Sequence, residues 1–278
     1  MIKRKVVRTL QGRHAVDGAG VKLVRVLSNT EAKDFDPFLM LDSFDSLDFD
    51  DYVAGFPMHP HRGIETITYL IKGKIEHEDS MGNKDAILEG ESQWMTAGSG
   101  ILHQEMPVKS DRMLGFQLWL NLPSEQKMTD PAYLSITNNM IPVVQTDEAE
   151  IRILTGSFGG TQGTKPSYIQ VSVFDISLKA DKSIQIPTNP NETVFIFLIE
   201  GQALIDGQSI REKSAVLFGC GDYIQVSADK GGPLRFIFYS GQALHEPIAW
   251  GGPIVMNTRE ELQLAFEELR KGTFIKHS

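Results

Sequence analysis

From Val21 to about Val144, and again from about Tyr168 to Tyr239, short runs of β-branched and aromatic residues alternate with Gly, Asn and Asp turns. That rhythm predicts an all-β sandwich or barrel. The stretch "LGFQLWLNLP" shows the alternation most plainly: Phe116, Leu118, Leu120 and Leu122 fall on one face, Gln117, Trp119 and Asn121 on the other. Turn residues in "DSMGNKD" and "LIDGQSI" separate such runs, as hairpins require. Helical periodicity is confined to the end. There "TREELQLAFEELRKG" offers Thr258 as an N-cap, Glu261 as its capping-box partner, and an apolar stripe of Leu262, Ala265, Phe266 and Leu269. The helix is expected to dock on the sheets and to carry no ligand.

The glycine-rich, aperiodic segment "GSFGGTQGTKPS" reads as a linker near the middle of the chain. A phosphate-binding loop would need a strand–loop–helix setting and a following Lys-Ser/Thr pair, and neither is present. On the two sides of this segment, "ETITYLIKGKIEHEDSMGN" from Glu65 can be laid against "ETVFIFLIEGQALIDGQ" from Glu192. Such self-similarity predicts two β-domains of related topology, over residues 1–145 and 146–278. Counted from the shared glutamates, His59 and His61 correspond to Ile186 and Thr188, and no histidine lies between Cys220 and Tyr239. Any metal chemistry of the first half is therefore absent from the second.

Charge narrows the range of partners. A formal net charge of -9 over 278 residues disfavours the phosphate backbone of nucleic acids. The lone Cys220 excludes an internal disulfide and, within "AVLFGCGDYIQV", is expected to be a small buried hydrophobe. The start "MIKRKVVRTL" lacks the apolar core of a secretory signal, and no window approaches a membrane span, so a cytoplasmic protein is expected. The basic cluster "KRKVVR" leaves the nucleus open for a eukaryotic source.

The candidate chemistry begins at "HPHRGIETITYL". If this is one continuous strand, His59, His61 and Glu65 project to the same side, with the two histidine Cα atoms about 7 Å apart. Farther on, "WMTAGSGILHQEMP" supplies His103 and Glu105, again one residue apart. Two strands each offering a donor pair make a site of imidazoles and a carboxylate. Such a set suits Fe(II), Cu(II), Ni(II) or Mn(II), and zinc in an open site; without thiolates a closed structural zinc site is disfavoured. An isolated histidine is ordinarily hydrogen-bonded or at the surface. Here four of the 7 histidines lie between positions 59 and 103, which favours ligation. His77 is expected at the surface beside Glu76, Glu78 or Asp79, while His14, His245 and His277 have no donor partner at metal spacing.

The segments "HPHRGIETITYLIKGKIEHEDSMGN", "QWMTAGSGILHQEMP", "GFQLWLNLP" and "GGPIVMNTREEL" together resemble the pirin family of the cupin superfamily, over nearly the whole chain. The resemblance implies two cupin (double-stranded β-helix, jelly-roll) β-barrels packed face to face, a metal in the first only, and a short C-terminal helix. It implies His59, His61, His103 and Glu105 as ligands. Glu65, which the wider cupin pattern would nominate, becomes a supporting group or alternative ligand. Thr96 stands where the wider motif commonly has proline, and the asparagine usual after the third histidine is absent; both departures belong to the pirin version.

By the same resemblance the cofactor is one divalent transition metal, Fe(II) foremost, with Cu, Ni, Co, Mn or Zn as alternatives. The implied activity is that of a quercetin 2,3-dioxygenase, opening a flavonol or related aromatic substrate with O2 and releasing carbon monoxide. Glu105 would take the 3-hydroxyl proton. Trp94, Met95, Phe116 and Trp119 are the expected walls of a flat apolar pocket, each equally suited to core packing. Some pirins act instead as redox-responsive partners of transcription factors or metabolic enzymes, a role to which an acidic surface is better suited than to DNA. Neither reading involves a membrane or direct contact with nucleic acid.

Overall fold

The computed structural model describes residues 1–229 and 231–277, and it is all-β apart from 3-10 turns and one α-helix among the described residues, α1 (Arg259–Lys271). No helix among them is long and apolar enough to cross a membrane. Sixteen of the strands fall into two sets of eight. The first set is β1 (Phe38–Ser46), β2 (Phe56–His61), β3 (Ile64–Lys72), β4 (Lys74–Asp79), β5 (Lys84–Ile87), β6 (Ser92–Thr96), β7 (Ile101–Val108) and β8 (Met113–Asn121). The second is β9 (Val171–Leu178), β10 (Ser183–Pro187), β11 (Glu192–Glu200), β12 (Ala203–Ile205), β13 (Gln208–Ile210), β14 (Ser214–Phe218), β15 (Tyr223–Ala228) and β16 (Leu234–Gln242).

In the first set, β2-β7-β4-β5 form a 4-stranded sheet, and β6-β3-β8-β1 run consecutively through a 7-stranded one. In the second set the same order recurs with every number raised by eight: β10-β15-β12-β13, and β14-β11-β16-β9. The similarity between the segments at Glu65 and Glu192 is thus the trace of two topological copies, each a two-sheet jelly roll. The edge strand beside β6 is Ala132–Ile136, which follows β8 in sequence; the one beside β14 is Val6–Gln11, from the start of the chain.

The boundaries differ from those expected. One compact unit comprises residues 14–138 with 244–278, the other residues 1–13 with 139–243. The division at 145/146 fails for two reasons. The glycine-rich segment is no linker: Ser157–Phe158 and Thr161–Gln162 pair as a small hairpin inside the second unit. In addition, both terminal segments pack away from their sequence neighbours. Arg4, 1% exposed, anchors the first of them, its guanidinium donating to Thr188 Oγ1 and to the carbonyls of Asn189, Glu192 and Gly219.

The last segment packs α1 on Ile254 and Met256 through Leu262, Ala265, Phe266 and Leu269, the expected stripe. The Thr258–Glu261 capping box forms as read from the sequence, and Gly272 closes the helix at φ 69. Cys220 is exposed rather than buried. It lies past the end of β14, in the connection to β15, outside the apolar run of either strand.

The core cluster of the second unit explains its missing ligands. Ile186, the counterpart of His59, is fully buried there among Ile184, Ile224, Val226 and Phe236. An aliphatic side chain stands at the counterpart of His59, and Thr188, the counterpart of His61, receives the Arg4 guanidinium instead.

A further correction concerns "HPHRGIETITYL", which is not one strand. β2 ends at His61, and β3 begins at Ile64 in the other sheet. The chain turns through Gly63 at φ 76, where an added Cβ would stand 2.0 Å from the Val255 carbonyl oxygen. Both the positive φ and the close approach require glycine. Gly63→Ala is expected to cost about 2 kcal/mol or more, measured as a lowered denaturation midpoint of the first unit.

Candidate metal centre

β2 and β7 pair antiparallel, with His59 opposite His103 and His61 opposite Ile101. All three imidazoles therefore share one face, and their donor atoms lie within 4.8 Å of one another. His61 and His103 are buried, and His59 is partly exposed. The His61 Nδ1 lies 3.0 Å from the Pro253 carbonyl oxygen and the His59 Nδ1 2.9 Å from that of Pro57. A carbonyl only accepts, so each Nδ1 carries the donated proton and each Nε2 presents its lone pair.

Those two Nε2 atoms stand 3.0 Å apart. Two lone pairs at that distance repel unless a cation lies between them. Burial, with the neighbouring His59, pushes His61 down to about 3, so protonation of that ring is disfavoured. Burial likewise holds His103 well below the usual range, and neither of its ring nitrogens has a hydrogen-bond partner. Adjacent nitrogen ligands about 2.1 Å from a metal and at right angles would be about 3 Å apart. The three imidazoles therefore fit a transition-metal ion.

Glu105, 2% exposed, lies on the same face of β7. Against β2 the register shifts between His103 and Glu105, while against β4 the glutamate faces His77. The other sheet grips its carboxylate. Oε1 accepts from Thr68 Oγ1 at 3.0 Å and Gln93 Nε2 at 2.5 Å, and Oε2 accepts from Gln117 Nε2 at 2.5 Å. These donors come from β3, β6 and β8. The tight cluster of donor atoms consists of the imidazoles, with Glu105 braced across the barrel by three groups that the sequence reading did not single out. Only Gln117 carried a signal, a polar side chain within the apolar run of β8; Thr68 and Gln93 lie in strands that hold other polar residues.

Glu65 is not gathered with the histidines. It is fully buried on the face of β3 opposite Thr68, and its Oε1 accepts from Thr96 Oγ1 at 2.7 Å. The turn at Gly63 moved it to the other sheet and reversed its face. Trp94 and Phe116 are also displaced from the expected pocket, because they lie on the faces of β6 and β8 opposite Gln93 and Gln117. Trp119 does line the cavity, and Met95 packs in the same apolar cluster.

His77 is buried at 3% exposure instead of lying at the surface. Its Nε2 is 3.2 Å from Asp79 Oδ2, as the sequence pairing suggested, and its ring stacks on Tyr133 at 4.5 Å. The cause is the β4–β7 pairing, which turns position 77 toward the same interior as Glu105.

A cavity of about 640 Å³ opens beside His59 and His61. Trp119 meets the His61 ring edge-on at 4.9 Å and stacks against Trp250 at 5.9 Å. Trp250 and Pro253 come from the last segment of the chain, which locks onto the turn after His61. Lys127 Nζ donates to Gly63 O at 2.7 Å and Val255 O at 2.9 Å. Arg62, 2% exposed, donates to Ser99 O and Phe274 O, pairs with Glu268 at 2.7 Å and lies 4.2 Å above the Phe274 ring.

Two jelly-roll barrels, one with convergent imidazoles beside a cavity and one filled with aliphatic side chains, define a two-domain cupin protein. The pirin family pattern matches residues 20–120, and that of the pirin C-terminal cupin domain matches residues 173–275. A pirin-like protein of Caulobacter vibrioides is 39% identical over 275 residues, covering 98% of this chain and 99% of that one. A Pseudomonas aeruginosa protein, named provisionally as a quercetin 2,3-dioxygenase, is 37% identical over 282 aligned positions and 97% of each chain. The crystal structure of a quercetin 2,3-dioxygenase from Acinetobacter baumannii superposes with a TM-score of 0.89 at 28% identity, covering 98% of each chain. The chain belongs to the pirin family.

The imidazoles set a pH dependence. In the metal-free protein the unfolded chain binds protons below about 6.5 that folded His61 refuses until about 3. Stability should therefore fall as pH drops through that window and show no such penalty above it. Thermal melting from about pH 4 to 8 should also show an upward shift with divalent metal that fades in acid, since protons compete for the same nitrogens.

Proposed function

We propose that the protein is a metal-dependent dioxygenase of the pirin type, opening the central ring of quercetin or a related flavonol with O2 and releasing carbon monoxide. His59, His61, His103 and Glu105 are the ligands in this reading. The observation that carries it is a cavity lined by two lone-pair-presenting imidazoles, with Glu105 on the same strand face as His103 and braced from the opposite sheet. The Acinetobacter baumannii relative, named as a quercetin 2,3-dioxygenase, supports the substrate class. Iron(II) is the foremost metal, and Cu, Ni, Co, Mn or Zn also suit the donor set. When bound, the metal supplies Lewis acidity toward the flavonol 3-oxygen and electronic access to O2.

The remaining work falls to the chain. Trp119 and Trp250 offer flat apolar surface for the ring system. The carbonyls of Pro57 and Pro253 fix the tautomers of His59 and His61, keeping their Nε2 lone pairs directed at the centre. Glu105 accepts the 3-hydroxyl proton. Its Oε1 already receives two hydrogen bonds and its Oε2 one, which leaves a single lone pair, on Oε2, that would serve the metal in the resting site and the 3-hydroxyl proton once a flavonol is bound. Gln93, Gln117 and Thr68 hold the carboxylate in place while it carries the proton, which returns to the carboxylate of the ring-opened product.

The test is to incubate iron-loaded protein with quercetin under air and follow flavonol absorbance together with carbon monoxide. Turnover is expected, abolished in His61→Ala and Glu105→Gln. Gln93→Ala and Gln117→Ala should each lower activity about 10- to 100-fold. Absence of turnover with iron, copper, nickel, cobalt and manganese would overturn the reading.

A further inference from the structure

The cavity lining carries two chemically different groups. One is the imidazole pair. The other is Asp17, Arg25 and Asp42, and among the lining residues Arg25 is the single lysine or arginine and these aspartates the two carboxylates. Arg25 is already engaged. Its Nε and Nη2 donate to the two oxygens of Asp42 at 2.9 and 2.7 Å, and Nη2 also donates to Asp17 Oδ2 at 2.5 Å. The three groups together carry one net negative charge.

Arg25 and Asp42 face each other across Val21–Leu27 and β1, so their pair has a structural role in the sheet. Asp17 does not share that role. It ends the neighbouring strand Arg13–Asp17, half-exposed, with Oδ1 accepting from the Gly18 N–H at 2.7 Å. Each of its oxygens keeps acceptor capacity. Burial alone would raise its carboxyl, but the hydrogen bonds from Arg25 and Gly18 and the charge of Arg25 hold it below the usual range. A neutral hydroxyl reaching this group meets charged acceptors; an anion meets two carboxylates and a guanidinium whose charge they already counter.

We propose that Asp17, supported by the Arg25–Asp42 pair, is a specificity determinant that selects neutral aromatic substrates bearing hydroxyl donors, catechols above all, and rejects those that bring an anionic group to it. The inference rests on the flavonol reading and assigns the substrate class within it. Imidazoles and a net negative group on the wall of one cavity would orient such a ligand, its acidic hydroxyl toward the histidines and its neutral hydroxyls toward Asp17.

Calorimetric binding to the zinc-loaded protein tests this without any need for turnover. The probes are quercetin, 3-hydroxyflavone without further hydroxyls, and 3-hydroxyflavone bearing a 4′-carboxylate. Quercetin should bind about tenfold more tightly than 3-hydroxyflavone, the worth of a hydrogen bond to a charged acceptor, and the carboxylate should bind more weakly than either. In Asp17→Ala, quercetin's advantage should shrink at least about fivefold, 3-hydroxyflavone should be unchanged and the carboxylate should gain. Retained metal content and melting temperature would show that the variant folds, since Arg25 keeps Asp42. Equal binding of the three probes, or equal weakening of all by Asp17→Ala, overturns the proposal while leaving the flavonol reading intact. If the wild type binds none of the three, the flavonol reading fails and takes the proposal with it.

Discussion

Two imidazole nitrogens with nothing left to offer but a lone pair stand 3.0 Å apart at the edge of the first barrel. Backbone carbonyls have taken the only proton each neutral ring has to donate, and burial makes a second proton on His61 costly. Like-charged density at this distance is stable only around a cation. The rest of the first unit serves that requirement. β2 and β7 must pair so that His59 faces His103, the turn at Gly63 must return the chain immediately to the other sheet, and Pro253 must arrive from nearly two hundred residues away to receive the His61 proton.

Glu105 has the complementary problem, being a carboxylate inside a barrel. A buried carboxylate is costly unless hydrogen-bonded, and the solution here spans both sheets. Thr68, Gln93 and Gln117 lie on three adjacent strands of the larger sheet and converge on a residue of the smaller one. The polar contacts that hold the glutamate therefore also tie the two sheets together at the depth of the site. The second unit, with the same strand order, fills the equivalent region with Ile186, Ile224 and Val226 and needs no such clamp. One topology thus supports either a polar interior able to hold a metal or a packed apolar core, depending on a handful of inward positions.

Much of this was legible in the sequence, for identifiable reasons. The one-residue spacing of His59 and His61, and of His103 and Glu105, reports a shared face because strand geometry has period two. The Glu65 and Glu192 segments report the repeat because copies with the same strand order keep the same polar punctuation. Other readings failed where long-range pairing decides. Alternation says that Phe116 and Gln117 face opposite ways but not which way is inward. In β8 both faces are buried, so hydrophobicity does not distinguish them, and the site takes the face bearing Gln117 and Trp119. Glu65 was misplaced because a glycine within an alternating run looks like an interruption of one strand, when here it separates two sheets. The linker reading failed because glycine content serves a hairpin as well as a tether. Trp250 and Pro253 lie far from the histidines in sequence, and no local pattern announces their approach.

The division of the chain into units has a consequence for the order of events during synthesis. Residues 14–138 hold all three imidazoles and Glu105, yet the carbonyl that fixes His61 and the tryptophan that covers Trp119 belong to residues 244–278. As the chain leaves the ribosome, the first barrel waits through the whole of the second before its last wall exists. An ion captured early would therefore be held by an unfinished site, open on the side that Pro253 and Trp250 later close. The order of the chain thus leaves the last wall of the site to be built after the second barrel.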